Sequence, residues 1–372
     1  MSACSVSRSR PSLARIIGLL AVFATLGLVW GASSAVSAKQ EKKAEAVTCA
    51  TCHAGVANSY LHAPMRHAME PAEANPMLLQ HTSLTTQLNG YTYSLQTREG
   101  KTTYTVSDAS GSVSFPIHWV LGQHSQTYLL EKDGSFYETL VTYFPRDNVL
   151  AVTPGDQDLR PKSLHEAMGR KLSNWEVLGC FDCHSSGAVS GTHLNLDKIK
   201  LGIDCEHCHA GAQQHMADAV DDNFKTIPKS LKRMSTGDIS NFCGQCHRTW
   251  ETTVRNHWRG PAFVRFQPYR LQNSKCFAAD DSRISCLACH NPHEPLNHDQ
   301  AFYDKKCLAC HAQMKVVSAS HPSTTLPVAK TCPVAKDNCS TCHMPKVEIG
   351  GNHARFTDHQ IRIVRPGESY PD

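Results

Sequence analysis

The pattern of hydrophobic and polar positions at the start of the chain is typical of an export signal. Arg8, Arg10 and Arg15 precede an uncharged apolar run from Ile16 to Trp30, and Val36-Ser37-Ala38 supplies the small residues of a cleavage site. The apolar run is shorter than the roughly 20 residues that cross a bilayer. We predict a cleaved signal peptide over residues 1–38, and a retained N-terminal membrane anchor is the alternative.

Alternating apolar and polar positions predict a group of β-strands between Leu88 and Val152. Tyr91–Leu95 and Thr103–Val106 flank the turn signal Arg98-Glu-Gly-Lys101. In the same way, Asp133-Gly134 separates Gln126–Glu131 from Phe136–Tyr143. We predict a small antiparallel β-rich insertion over residues 81–155. It either covers the rest of the protein or docks a partner or a second subunit.

Composition narrows the class of protein. Of 372 residues, 41% are hydrophobic and 19% are charged, which excludes a collagen-like, coiled-coil or low-complexity chain. The formal net charge is only +4 and no dense basic tail accompanies it, so we expect no nucleic-acid partner. The unusual numbers are 17 Cys and 22 His, because both residue types are common metal ligands.

Nearly all the cysteines belong to one motif, C-x-x-C-H, which occurs seven times. The motifs, numbered first to seventh in chain order, consist of Cys49, Cys52 and His53; Cys180, Cys183 and His184; Cys205, Cys208 and His209; Cys243, Cys246 and His247; Cys286, Cys289 and His290; Cys307, Cys310 and His311; and Cys339, Cys342 and His343. This sequence attaches c-type haem, because two thiols add to the two vinyl groups of the macrocycle and the histidine becomes the proximal iron ligand. Zinc ribbons are the alternative, but zinc does not require a histidine directly after the second cysteine. We predict seven covalently bound haem c groups.

The spacing of the motifs also predicts the fold class. Six of the seven lie between Cys180 and His343, which leaves too few residues to enclose each haem in its own apolar core. We therefore expect a mainly α and irregular multihaem cytochrome c fold, with stacked haems as the core and the small β insertion added. The expected division is a first-haem segment over 39–80, the β insertion over 81–155 and a six-haem core over 156–372.

The histidines outside the motifs are candidates for the second axial position of each iron, with methionine as the competing ligand. Several follow a motif closely, where a neighbouring haem would lie. The first candidates are His215, His293, His353 and His359, followed by His67 and His321. For His359, either Asp358 or a backbone carbonyl is expected to accept the proton of the other ring nitrogen.

Two further features have alternatives of their own. Arginines and aromatic residues alternate between Arg255 and Arg270, and we interpret the arginines as partners of haem propionates rather than of nucleic-acid phosphates. Cys276 and Cys332 lie outside the motifs. In an oxidising compartment they are expected to form a disulfide, and two free thiols are the alternative.

The motifs and their surroundings resemble those of a known family. The segments concerned are Gly202–Gly211 with His215, Cys286–His293, and Cys339–Pro345 followed by Thr357-Asp-His359. They look like multihaem c-type cytochromes related to the tetrahaem cytochrome that accepts electrons from hydroxylamine oxidoreductase. The resemblance covers most of the chain after the signal peptide. It implies stacked haems, largely bis-histidine ligation with His215, His293 and His359 as distal ligands, and periplasmic electron transfer. The chain departs from the tetrahaem pattern in its seven motifs and its β insertion.

Two functions fit these observations. The first is electron transfer between redox partner proteins, membrane-associated ones among them, in the periplasm or another exported location. The second is an oxidoreductase that acts on a small nitrogen or sulfur compound at one haem with an open iron position. Because related multihaem folds support both, fold alone does not decide between them. The histidines suffice to fill every distal position, and the chain has no C-x-x-C-Lys site. Electron transfer is therefore the favoured reading.

Seven complete motifs behind an export signal predict seven haems on each mature chain. Mass spectrometry of the purified protein should give the mass of the chain from about Lys39 onward plus seven haems. A mass that includes zinc, or fewer haems together with an alkylatable C-x-x-C pair, would contradict the assignment.

Overall fold

The structure is a computed structural model that describes residues 48–220, 224–280, 283–312, 331–365 and 367–368. The predicted signal peptide and the candidate ligand His321 lie outside these residues. Within the described ranges, no helix is both long enough and apolar enough to cross a membrane.

The described strands all pair antiparallel, and most of them lie in the first half of the described chain. They are β1 (Met69–Pro71), β2 (Ser83–Leu88), β3 (Tyr91–Arg98), β4 (Lys101–Asp108), β5 (Gly111–Pro116), β6 (Trp119–Leu121), β7 (Thr127–Lys132), β8 (Ser135–Thr139), β9 (Val141–Phe144), β10 (Val149–Val152), β11 (Gly169–Lys171), β12 (Ser185–Ser186), β13 (Val189–Ser190), β14 (His193–Leu194), β15 (Lys200–Leu201), β16 (Lys346–Glu348) and β17 (Arg355–Thr357). One sheet has the strand order β2-β3-β4-β5 and a second has β1-β6-β7-β8-β11. The others pair in twos: β9 with β10, β12 with β15, β13 with β14, and β16 with β17.

The two predicted hairpin turns are confirmed. Glu99 and Gly100 join β3 to β4 with φ of 51° and 76°, and Asp133 and Gly134 join β7 to β8 with φ of 50° and 68°. Positive φ at both central residues matches the right-handed twist of the paired strands. In the register of β3 and β4, Tyr93 lies opposite Val106, and these buried positions alternate with more exposed ones.

The five-stranded sheet takes its two outer strands from outside residues 81–155. Strand β1 precedes this range, and β11 follows it and pairs with β8 in the register Gly169↔Thr139. Gly169 has φ of 149°, and a Cβ at this position would lie 2.1 Å from the carbonyl oxygen of Glu138. This close backbone approach requires glycine.

The helices are short and follow mainly after the sheets. They are α1 (Cys49–Cys52), α2 (Ala54–Tyr60), α3 (Pro76–Gln80), α4 (Leu164–Ala167), α5 (Asn174–His184), α6 (Cys205–Cys208), α7 (Ala212–Val220), α8 (Thr236–His247), α9 (Trp250–Arg255), α10 (Gln267–Gln272), α11 (Cys286–Cys289), α12 (Gln300–His311) and α13 (Cys339–His343). Single turns of 3₁₀-helix lie at Pro64–His67, Ala72–Ala74, Leu196–Lys198, Leu231–Arg233 and Pro261–Arg265. The mixture of short helices and small antiparallel sheets agrees with the expected fold class at this level.

Two clusters of buried apolar side chains belong to the strand-rich half. The first lies between the sheets and includes Tyr93, Tyr104 and Leu130. The second joins the five-stranded sheet to α5, where Phe181 contacts Trp119 with ring centroids 5.5 Å apart. Both clusters end at or before Leu201 in the described chain, and the buried apolar side chains beyond it are scattered: Ile203, Ala212, Ile239, Val264, Tyr269, Leu271 and Ile349.

Two adjacent leucines of α3 test the apolar core of the strand-rich half. Leu78 is 0% exposed and Leu79 is 46% exposed. Leu78→Ala should lower the free energy of unfolding by about 2–5 kcal/mol, because it removes buried methyl groups and leaves a cavity. Leu79→Ala, the matched control, should change it by less than about 0.5 kcal/mol. Chemical unfolding followed by circular dichroism measures both, and equal effects would contradict the assigned packing.

Candidate functional site

Each of the seven C-x-x-C-H motifs lies on helix. The motifs occupy α1, α6, α11 and α13 as single turns and the last turns of α5, α8 and α12. Residues three apart on a helix share a face, so both thiols of a motif can reach one side of a planar ligand. The histidine comes at the end of the same turn or directly after it. This arrangement meets the geometric requirement for haem attachment.

Side-chain caps fix where several of these helical turns begin. The Asp204 carboxylate accepts the backbone N–H of His207 at 3.1 Å at the start of α6, and the Ser235 hydroxyl accepts that of Asp238 at 3.1 Å at the start of α8. Such caps satisfy N–H groups that have no partner within the helix. The seventh motif is capped by another motif's helix: Asp304 of α12 accepts the N–H groups of Asn338 at 2.7 Å and Cys339 at 2.8 Å.

Three motif histidines face a second imidazole. The ring centroids of His53 and His215 are 6.4 Å apart, those of His209 and His293 are 5.9 Å apart, and those of His290 and His359 are 6.2 Å apart. A metal–imidazole bond of about 2.0 Å places the centroids of two rings on opposite sides of one metal about 6.3 Å apart. The spacing therefore fits one iron between the two rings of each pair.

Backbone carbonyls orient rings of these pairs. His209 Nδ1 donates to the carbonyl of Lys229 at 3.0 Å, His215 Nδ1 to that of Thr226 at 2.8 Å and His359 Nδ1 to that of Thr357 at 3.0 Å. Because a carbonyl oxygen can only accept, Nδ1 must carry the proton. The Nε2 lone pair is then available to a metal.

Two further motif histidines have the same arrangement. His184 Nδ1 donates to the carbonyl of Ala68 at 2.8 Å, and His343 Nδ1 donates to that of Arg362 at 2.8 Å. These bonds join each motif to a segment distant in sequence. They also hold the rings in the tautomer that a metal ligand needs.

Several imidazoles are surrounded by protein and kept neutral. Desolvation lowers the pKa of His184, His247 and His290, and lowers that of His359 to about 4. The side chain of His247 is nevertheless accessible to solvent.

The remaining candidate ligands have other contacts. His353 Nδ1 lies 2.9 Å from Asp147 Oδ2, and its ring packs on Phe144 with centroids 4.4 Å apart. His67 uses both nitrogens, Nδ1 with Glu70 Oε1 at 2.7 Å and Nε2 with the carbonyl of Leu61 at 2.7 Å. An iron at His67 would have to displace one of these partners.

Thiols from different motifs meet and so show which motifs are neighbours. Pairs of thiols that lie close enough to shift each other's pKa join the first motif to the third, the second to the fourth, the fourth to the fifth and the sixth to the seventh: Cys49 with Cys205, Cys183 with Cys246, Cys243 with Cys286, and Cys307 with Cys339. Cys208 lies near Cys243 and Cys289 near Cys307, which connects the third motif to the fourth and the fifth to the sixth. The motifs therefore form one continuous row, first-third-fourth-fifth-sixth-seventh, with the second beside the fourth.

The zinc alternative requires several ligands to converge on one point. Among residues 48–220, 224–280, 283–312 and 331–368, apart from 366, no group of three or more Cys, His, Asp or Glu side chains is arranged to hold a metal ion by itself. Each C-x-x-C-H motif supplies the two thiols and the imidazole that covalent haem attachment needs.

The predicted disulfide between Cys276 and Cys332 is wrong, because both thiols are free. Cys276 is half-buried beside Cys307 and Cys310 of the sixth motif, and desolvation raises its pKa. Cys332 is exposed, and the backbone N–H groups of Ala335 and Val334 lower its pKa. The two thiols thus have different surroundings.

Two arginines of the segment between Arg255 and Arg270 have protein carboxylates as partners. Arg255 pairs with Glu251 on the surface, and Arg270 binds the Asp358 carboxylate at 2.8 and 2.9 Å. These two arginines already have protein carboxylates. For His359, the proton acceptor is the Thr357 carbonyl rather than Asp358.

Arg265 and Arg248 form a pair of cations, of which only Arg265 was predicted from the sequence to bind an anion. Desolvation and then Arg248 lower the pKa of Arg265, whose buried Nε has no hydrogen-bond partner among the described residues. Arg248 directly follows His247 and lies over the ring of Trp258, 5.9 Å from its centroid. An anionic group would satisfy this pair, whether a propionate or a small oxyanion. Arg265 lies in the arginine-rich segment noted in the sequence, whereas the signal for Arg248 is its position directly after the fourth motif.

Comparison with known proteins gives limited similarity. No family model matches the chain, and no curated protein matches it. Among solved structures, the crystal structure of the outer cell wall cytochrome OcwA is similar to the chain. The similarity covers 85% of this chain and 78% of that protein, with 13% sequence identity and a TM-score of 0.47.

Proposed function

We propose that this protein is an exported heptahaem c-type cytochrome that transfers electrons between redox partner proteins. The observation that carries the proposal is the set of three imidazole pairs, His53 with His215, His209 with His293 and His290 with His359. In each pair one ring belongs to a C-x-x-C-H motif and the other does not. Their spacing fits an iron with two axial histidines.

The chain's own residues have defined roles in this proposal. The two cysteines of each motif hold the haem through thioether bonds, and the histidine that follows is the proximal ligand. His215, His293 and His359 are the distal ligands of the first, third and fifth haems, while His353, His67 and His321 remain candidates for the others. When bound, the haem iron supplies reversible one-electron chemistry. Carbonyl partners such as Lys229 and Thr226 keep each ring oriented, so a change of iron charge need not reorganise the ligand.

The contacts between thiols support a transfer role. They bring the attachment points of successive motifs together, and so the centres would lie in one row rather than in separate pockets. The predicted signal peptide supports a periplasmic or other exported location. The partners we propose are redox proteins, including membrane-associated ones, and no nucleic acid.

One observation favours a second function, an oxidoreductase acting on a small nitrogen or sulfur compound. The positive charge of Arg248 acts on Cys183 and His184 of the second motif as well as on Arg265. Two cations beside a motif histidine would bind an oxyanion near an iron. The same cations would equally serve a haem propionate, so electron transfer remains the first proposal.

Substituting the distal histidines tests the electron-transfer proposal. His215→Ala, His293→Ala and His359→Ala should each retain seven haems by mass, because the thioether bonds are untouched. In electron paramagnetic resonance, each should convert one low-spin ferric signal to high-spin, since one axial imidazole is lost. His298→Ala is the matched control, because His298 is exposed and lies five residues from His293. Spectra that match the wild type in all three variants would contradict the ligand assignment.

Ligand binding to the wild-type protein separates the two functions. If every iron has two protein ligands, the reduced protein should not bind carbon monoxide and nitrite should not change the spectrum of the oxidised protein. Stoichiometric carbon monoxide binding would support the oxidoreductase. In that event Arg265→Met should weaken nitrite binding at least about tenfold. Arg255→Met, which alters an arginine already paired on the surface, should leave nitrite binding unchanged.

A further inference from the structure

A buried carboxylate holds the segment 357–362 against α10. Asp358 is 0% exposed, and Arg270 of α10, which is 1% exposed, donates to it from Nε at 2.8 Å and from Nη2 at 2.9 Å. Arg362 also donates to Asp358 from within the segment. Bidentate arginine pairs are directional, so this contact fixes the orientation of the segment as well as its position.

On one side of Asp358, the segment carries an imidazole of the fifth centre. His359 faces His290, with ring centroids 6.2 Å apart, and its Nδ1 donates to the carbonyl of Thr357. The carbonyl of His359 itself accepts the Ser274 hydroxyl at 3.2 Å. Both the ring and the backbone of His359 are thus fixed by residues next to the buried carboxylate.

On the other side, the same segment orients an imidazole of the seventh centre. The carbonyl of Arg362 accepts Nδ1 of His343 at 2.8 Å. Ile361 donates its N–H to the Ser274 hydroxyl at 2.8 Å, and Asp358 donates its own N–H to the carbonyl of Pro345, two residues after His343. The position of the carbonyl that orients His343 therefore depends on the same anchor.

We infer that Asp358 is a positioning residue for two iron centres at once, through His359 at the fifth motif and through His343 at the seventh. Asp358 binds neither iron in this proposal. It neutralises Arg270 and Arg362 and so holds a short segment that presents a ring at one end and a ring-orienting carbonyl at the other. The inference rests on the proposed function, because it assumes that these imidazoles bind iron.

The test uses the full-length haem-loaded protein with Asp358→Asn, which keeps the shape of the side chain but removes its charge. Mass spectrometry should still find seven haems. Electron paramagnetic resonance and a redox titration should show changes in two of the seven centres, and one of them should be the centre altered in His359→Ala. Glu251→Gln is the matched control, since it neutralises an exposed carboxylate paired with Arg255 and should alter none.

Two more variants keep the inference testable if Asp358→Asn does not accumulate. The double variant Arg270→Gln/Asp358→Asn replaces the ion pair between Arg270 and Asp358 with two amides. It therefore leaves no buried Arg270 cation without a carboxylate partner. Ser274→Ala removes only the two hydroxyl contacts to the segment and should shift the same two centres by less. A folded variant whose seven centres all match the wild type, or one in which only a single centre changes, overturns the inference while the proposed function stands. A wild-type protein that carries no haem would overturn both the inference and the proposed function.

Discussion

One local constraint governs the arrangement of this molecule, namely that a C-x-x-C-H turn binds its ligand only if its imidazole is held in a fixed tautomer and orientation. The turn fixes the two thiols by itself, because helical spacing places them on one face. It does not fix the ring. In His184, His209 and His343 the ring is fixed by a backbone carbonyl from another segment, those of Ala68, Lys229 and Arg362. The local motif thus requires tertiary structure, and the loops that supply these carbonyls are arranged to meet that requirement.

The two halves of the chain are stabilised by different kinds of interaction. The strand-rich half has its own apolar core, with tyrosines and leucines buried between sheets, and its stability follows from burial of apolar area. Beyond Leu201 the described buried apolar side chains are few and scattered. Polar ties, including the Arg270–Asp358 pair and the Asp304 cap, connect the elements there. A buried ion pair contributes little net stability but strongly disfavours alternatives that would leave one charge unpaired. Such ties specify how these elements are arranged relative to one another.

Sequence alone predicted the features that are set by local rules. The hairpins at Glu99-Gly100 and Asp133-Gly134 follow from turn chemistry. His215, His293 and His359 could be chosen as candidates because they follow motifs, but their partners could not be identified. His215 faces the first motif's His53 rather than a nearer one in sequence, since the pairing is decided by long-range packing.

The incorrect predictions share a physical cause. The disulfide between Cys276 and Cys332 was inferred from elimination, whereas bonding requires the two Cβ atoms to lie within about 4.5 Å. Arg255 was assigned to a propionate although Glu251, four residues before it, is its natural partner on a helix. Arg270 pairs with a carboxylate 88 residues away, which no local rule indicates.

The order in which the motifs adjoin has a consequence for the whole second half. The first motif meets the third and the second meets the fourth, so the chain between them is interleaved rather than laid down one motif after another. Each such contact closes a loop, and the closure entropy must be offset by the interactions at the contact. Where few apolar side chains are buried, the polar ties and, under the proposed function, the haems must supply these interactions. On the same proposal, attachment of the cofactor and folding of the second half are one coupled process, in which a centre contributes to the position of its neighbours as well as to its own ligation.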